Sequence, residues 1–252
     1  MSAGPPISKP ELPNVSADIK EALSKEIKQY PVYSNYASRL GHPCSRQSVY
    51  WRTHWQDASP ITVGSQMIFG GGNMIEQHIA KTYLEKAGYQ IVEMGRPINA
   101  ERSGIMRKLQ IGGKLDFVCR KGKLEFPVEV KSMEPHSWAA IASIEDMLRS
   151  RKHWHQAYPA QLTLYLLGKE YAYGMFLLIN KITFEPKHIW VNLDYTYAES
   201  LLKKAEEINR HSAAGSLPDR ISYDAGICGY CPFIQTCLPD LQNTELQVLD
   251  NP

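Results

Sequence analysis

The stretch that most constrains the fold is Ile111 to Met133, IGGKLDFVCRKGKLEFPVEVKSM. Two β-rich runs, Lys114 to Cys119 and Leu124 to Lys131, flank the basic turn Arg120-Lys121-Gly122-Lys123 and predict a hairpin. Alternation along the second run puts Val128 and Val130 on one face and Glu129 and Lys131 on the other. Asp116 on the partner strand reaches the same patch if the turn closes in register. Carboxylates that converge in this way repel unless a cation sits between them, and a hard divalent ion takes oxygen ligands of this kind. The lysine beside them is then placed to hold or activate a water for attack on phosphate. The competing expectation for a D…ExK pattern is a cross-strand salt bridge on a solvated face.

The chain has 252 residues, enough for one large domain or one domain with an appended lobe. Its hydrophobic share of 43% is that of a soluble globular protein. There is no run of about twenty apolar residues, and the N-terminus lacks the apolar core of a signal peptide, so the expectation is a cytoplasmic protein with no membrane partner. A net charge of +2 does not by itself announce a nucleic-acid binder. The charge is uneven, however: Glu101 to Lys152 holds eleven Lys/Arg against seven Asp/Glu, leaving 17 against 19 elsewhere. The surplus surrounds the hairpin, where an anionic polymer would have to lie.

The five cysteines are also uneven. Cys44 and Cys119 stand alone, while Cys228, Cys231 and Cys237 form C-x2-C-x5-C. In a chain with no export signal, such clustering argues for metal or iron-sulfur ligation over disulfides. Three cysteines need a fourth partner, and Cys44 is the candidate because a core position in the hairpin explains Cys119. Cys44 precedes a predicted helix whose positive end favours a thiolate. Four thiolates suit an iron-sulfur cluster or zinc, and spacing alone does not separate the two. A site from Cys44 to Cys237 would tie the first lobe to the last.

Along the chain, Met1 to Val15 reads as a mobile arm, and Ser16 caps a short helix with Ile19, Ala22, Leu23 and Ile27 on its apolar face. A helix covers at least the segment after Gly72, with Ile75, Ile79, Tyr83 and Ala87 on one face and Gly88 at its end. Glu76 lies beside that stripe as a candidate third acid, and His78 reads as a surface residue. Tyr89 to Met94 is a strand, followed by a polar loop with Arg102 and Arg107. Ser137 to Arg149 is helical and leads into Arg149, Arg151, Lys152 and Trp154, a cluster that suits phosphate contact and base stacking or, equally, a solvated helix end. Pro159 opens a second helix that ends at Gly168 and stacks Gln161 on Tyr165. Tyr171 to Asn180 and His188 to Leu193 complete the sheet, Tyr197 to His211 is a helix, and the segment after Pro239 reads as a disordered tail.

Glu76, Asp116, Glu129-Val-Lys131 and Gln161-x3-Tyr165, in this order, resemble the PD-(D/E)XK nuclease core in its RecB-type form. One early cysteine and a late C-x2-C-x5-C resemble its iron-sulfur branch, which includes the CRISPR-associated protein four exonucleases, their phage-borne relatives and AddB-like nuclease domains. Each motif is common singly, whereas the five in order, from about Ser38 to Cys237, are specific. The resemblance implies an α/β fold with a central mixed sheet flanked by helices, and a cysteine-ligated lobe joining the N- and C-terminal segments. It implies Mg or Mn at Glu76, Asp116, Glu129 and the Val130 carbonyl, and Lys131 acting on the attacking water. It also implies a [4Fe-4S] cluster on Cys44, Cys228, Cys231 and Cys237, zinc being the alternative. Many members place a histidine where this chain has Glu76; a carboxylate is the better ligand for Mg or Mn. The expected organisation is an arm over 1–15, a helical segment over 16–60, a nuclease core over 61–215, a cysteine lobe over 216–238 and a tail over 239–252. The expected activity is exonucleolytic cleavage of single-stranded DNA or DNA ends, with recombination or CRISPR-adaptation proteins as partners. The competing expectations are an inactive DNA-binding or adaptor subunit and a zinc-stapled nuclease.

Overall fold

The computed structural model describes residues 12–98 and 104–238, so most of the expected arm, Arg102 and the tail from Pro239 lie outside the described residues. Helix α1 (Val15–Ser24) is capped by Asn14, whose side chain accepts from the Ala17 N–H at 3.2 Å. Ser16, expected as the cap, falls inside the first turn because that asparagine already satisfies the orphan donor. Strand β1 (Asn35–Tyr36), α2 (Ala37–Leu40) and α3 (Ser45–Thr53) follow, with a 3-10 turn over Trp55–Asp57.

Helices α4 (Val63–Met74) and α5 (Lys81–Lys86) form one helical run through a π-helical segment, Ile75–Ala80. The expected stripe of Ile75, Ile79 and Tyr83 is thereby rotated. The buried residues are Ile75, Ala80 and Leu84, five and then four apart, while Tyr83 is 36% exposed. A π turn takes up one extra residue, and such turns concentrate at functional sites. Gly88, at φ +79°, ends the run in a conformation that a side chain would resist.

The remaining elements are β2 (Gln90–Met94), α6 (Gly104–Lys108), β3 (Ile111–Gly112), β4 (Phe117–Lys121), β5 (Leu124–Met133), α7 (Pro135–Ala140), α8 (Ile144–Leu148), α9 (His153–Lys169), β6 (Tyr173–Asn180), β7 (Pro186–Asn192), α10 (Tyr195–Ala214), α11 (Ala225–Cys228) and α12 (Ile234–Cys237). The hairpin is present as β4 and β5. Lys121 pairs with Leu124, so its loop is only Gly122-Lys123, shorter than the basic turn expected. Arg107 lies on α6 rather than in a loop. The helix expected over Ser137 to Arg149 is two, because the chain is extended at Ile141 and Ser143 starts α8 by accepting from the Asp146 N–H. Pro159 lies inside α9 rather than at its start. Its missing N–H forfeits a helical bond at a cost of ~3 kcal/mol, which burial of Leu162, Leu164 and Leu166 in the same helix outweighs.

Among the described residues the main sheet runs β2-β4-β5-β6-β7. The β5–β6 pair is parallel and its neighbours antiparallel, and α7, α8 and α9 form the crossover that a parallel pair requires. One face packs Val128, Val130 and Leu177 against Ile75, Ala80 and Leu84. The other packs Phe176 and Leu178 against Leu162 and Leu166 of α9. Behind α9, Ala160 and Leu164 meet Leu40 and Ala205 in a third layer. This is the expected α/β architecture, a central mixed sheet flanked by helices. No helix among the described residues is long and apolar enough to cross a membrane.

Candidate active site

Strand β5 is covered on both faces, so the side chains opposite Val128 and Val130 are not solvated. Glu129 is 1% exposed, and Lys131 points the same way. The lysine Nζ donates to Glu129 Oε1 at 2.8 Å and to Gln161 Oε1 at 3.0 Å. Gln161 Nε2 in turn donates to the Tyr165 hydroxyl at 3.0 Å, and the Tyr158 ring centre lies 4.6 Å from the lysine nitrogen. The salt bridge on a solvated face is thus replaced by a buried chain of polar contacts. Asp116 stands in the bend before β4. The β4–β5 ladder ends at Phe117 and Val128, and beyond it the Asp116 carboxylate accepts the Val130 N–H at 2.7 Å. Glu76 reaches the group from the π turn on the opposite layer, half-buried.

The charges do not balance. Burial pushes Glu129 up to about 8, with Asp116 adding to the effect and Lys131 opposing it. Burial pushes Glu76 up to about 7, again reinforced by Asp116. Asp116 is also raised by burial, against the pull of Lys131 and of the Val130 N–H. Burial depresses the Lys131 amine, but the carboxylates of Glu129 and Asp116 outweigh it and hold the amine above its ordinary value. With no cation between the carboxylates, they hold the Lys131 amine protonated. Three acids face one lysine, and Glu129 Oε2 is buried without a partner among the described residues. Three carboxyls whose ionisation is opposed by burial, one of them with an orphaned oxygen, form an oxygen donor set that suits a hard cation such as Mg or Mn. No three His, Cys, Asp or Glu side chains among the described residues stand as a ready-made metal group.

The four cysteines from opposite ends of the chain line one cavity, although, like the acids, they do not stand as a ready-made metal group among the described residues. Cys44, Cys228, Cys231 and Cys237, all unpaired, line one cavity of about 60 Å³ with Ile227, Ile234 and His42. A soft, all-sulfur donor set around an apolar space fits a metal centre of iron or zinc. Cys119 instead lies fully buried in the sheet core. Burial raises the Cys44 thiol, and the N–H groups of Gln47 and Arg46 at the start of α3 only partly oppose it. The thiolate-favouring helix end is thus present, but desolvation outweighs it. Burial also depresses His42 to about 4, with His153 and Lys204 adding to the effect. Phe233 pins the lobe by stacking on Tyr50 at 5.3 Å and meeting Trp51 edge-on at 4.9 Å.

The basic cluster is divided. Arg149 and Arg151 are exposed. Lys152 pairs with Glu134 at 2.6 Å, and Trp154 meets Tyr230 of the cysteine lobe edge-on at 5.8 Å. His78 is exposed as expected. Sequence reasoning missed Tyr158, Gly113 and His42. Tyr158 was legible, since it lies three residues before Gln161 and seven before Tyr165 on one helical face. Gly113 was not: a Cβ there would stand 2.8 Å from the Tyr165 hydroxyl. Cavities of about 320 and 700 Å³ lie along β7, lined in part by Trp190, and do not include Glu129.

No family model and no curated protein matches the sequence. Among solved structures, the chain is similar to the protein SSO0001 at a TM-score of 0.47 and 15% identity, over 87% of this chain and 93% of that one. It is similar to an alkaline exonuclease, LHK-Exo, from Laribacter hongkongensis at a TM-score of 0.49 and 14% identity, over 72% and 89%. LHK-Exo in complex with dAMP gives 0.43 and 14%, over 71% and 91%. Each of these TM-scores lies below 0.5.

Proposed function

We propose that this chain is a metal-dependent deoxyribonuclease of the PD-(D/E)XK type, hydrolysing phosphodiester bonds at DNA ends or in single strands. The observation that carries the proposal is the buried Lys131, fixed between Glu129 and Gln161 beside a partnerless Glu129 oxygen. Glu76, Asp116, Glu129 and the Val130 carbonyl would hold Mg or Mn. When bound, such a cation supplies a polarised phosphate oxygen and a water of lowered pKa. Lys131, protonated, donates to the attacking water or to the charge that builds on the phosphate. Gln161 holds that amine in place, and Tyr165 fixes the amide of Gln161. Arg149 and Arg151, exposed one turn before α9, meet backbone phosphates without reading sequence. Cys44, Cys228, Cys231 and Cys237 would hold a [4Fe-4S] cluster, or zinc, as a tie between the ends of the fold.

One observation favours a second reading, an inactive DNA-binding or adaptor subunit: the acids do not stand as a ready-made metal group. A time course on end-labelled single-stranded and duplex DNA with Mg or Mn, run beside Lys131→Ala, separates the two. Stepwise shortening by the wild type that the variant loses supports the enzyme. Binding without cleavage supports the adaptor.

A further inference from the structure

His42 lies two residues before Cys44, is 6% exposed and lines the cavity of the four cysteines. Its Nδ1 accepts the Cys44 backbone N–H at 3.2 Å. A neutral imidazole that accepts at Nδ1 carries its proton on Nε2. That Nε2 is buried and has no partner among the described residues. The ring is held firmly: His153 packs edge-on against it at 5.2 Å, and the Lys204 amine bonds the His42 carbonyl. His153 is itself tied through Nδ1 to the Gly226 carbonyl at 2.8 Å, two residues before Cys228. The two histidines thus couple the Cys44 side of the cavity to the C-x2-C side.

We propose that His42 is a positioning residue of the metal centre held by the four cysteines, donating its Nε2–H hydrogen bond to one of the sulfurs. The inference rests on the four-cysteine reading above. Direct ligation by Nε2 is disfavoured, because its lone pair becomes available only if Nδ1 gives up the Cys44 N–H. Donors around a metal centre fix its ligands, and hydrogen bonds to sulfur raise the potential of an iron-sulfur centre by stabilising its more negative reduced state.

The test uses the full chain purified without air, as wild type, His42→Asn and His42→Gln. Asparagine keeps an acceptor for the Cys44 N–H but does not reach the Nε2 position, whereas glutamine places an amide N–H near it. Bound metal per chain, its rate of loss to a chelator and, for iron, the midpoint potential are measured. The expected result is loss from His42→Asn about tenfold faster or more, a lower midpoint, and near wild-type behaviour in His42→Gln. His42→Phe, which keeps a ring against His153 without a donor, is expected to behave as His42→Asn and serves if that variant does not accumulate. Wild-type release and midpoint in both variants that lack a donor at the Nε2 position would overturn the proposal, as would equal losses in His42→Asn and His42→Gln. Wild-type protein without metal would overturn the four-cysteine reading itself and this inference with it, an outcome the wild-type metal analysis distinguishes from failure of His42 alone.

Discussion

Stripping divalent cations from the protein and returning Mn²⁺ at a series of pH values probes the acid cluster quantitatively. In the cation-free chain Glu129 is raised from 4.5 to about 8. Its ionised form is therefore costly at this site, because burial outweighs the help that Lys131 gives. The sign follows from the raised value. The folded state holds this proton more tightly than the unfolded chain, so its contribution to stability is intact below pH 4.5 and lost as pH rises through about 8. A cation must displace that proton, so its affinity weakens about tenfold per pH unit below about 8. At a concentration of about 100 dissociation constants at pH 8, Mn²⁺ stabilises the fold by about 2.7 kcal/mol, a rise in midpoint of roughly 5–10 °C for a chain of this size. At pH 6, where Glu76 at about 7 must also give up a proton, the same concentration gives at most about 0.4 kcal/mol, or no more than roughly 1–2 °C. Thermal unfolding followed by circular dichroism reads the difference, with Glu129→Gln as the arm expected to show little shift at either pH. An equal shift at pH 6 and pH 8, or a full shift in Glu129→Gln, refutes the reasoning.

Lys131→Ala is expected to lower DNA cleavage by about 10²–10³, the scale of a lost donor to developing charge, while the circular dichroism spectrum stays native. Gly113→Ala drives a methyl to 2.8 Å from the hydroxyl and 2.9 Å from the ring of Tyr165, which is 1% exposed and has no room to swing. The expected cost is ~1–3 kcal/mol in a urea titration, accompanied by lost activity as the Gln161 contact breaks. Cys44→Ser is expected to release bound metal and lower the unfolding midpoint, and chelation of the wild type to do the same. Cys119→Ala is expected to keep its metal, because that thiol lies in the sheet core.

Features set by local periodicity were legible in the sequence. The β4–β5 hairpin, the shared face of Glu129 and Lys131, the Gln161–Tyr165 pair and the buried Cys119 all follow from alternation or helical spacing. That Cys44 lines one cavity with the C-terminal triplet agrees with the elimination among five cysteines that singled it out. Features decided by tertiary contact were not. The π turn that moves the buried stripe from Ile79 and Tyr83 to Ala80 and Leu84 leaves no mark in composition. Pro159 inside α9 reverses a strong local signal because the helix is buried along most of its length. The solvated salt bridge failed for the same reason: alternation says which residues share a face, while only the crossover through α9 decides that the second face is covered. Desolvation likewise sets the sign at Cys44, where the helix end alone argues for a thiolate.

The most direct check on the acid cluster is an anomalous difference map from a crystal soaked in Mn²⁺ at pH 8, collected at the manganese edge. The account predicts a peak within coordination distance of Glu129 Oε2 and of the Asp116 carboxylate, with Lys131 beside it. A fully soaked crystal with no manganese at those two side chains, from protein that still cuts DNA in the same buffer, would contradict it.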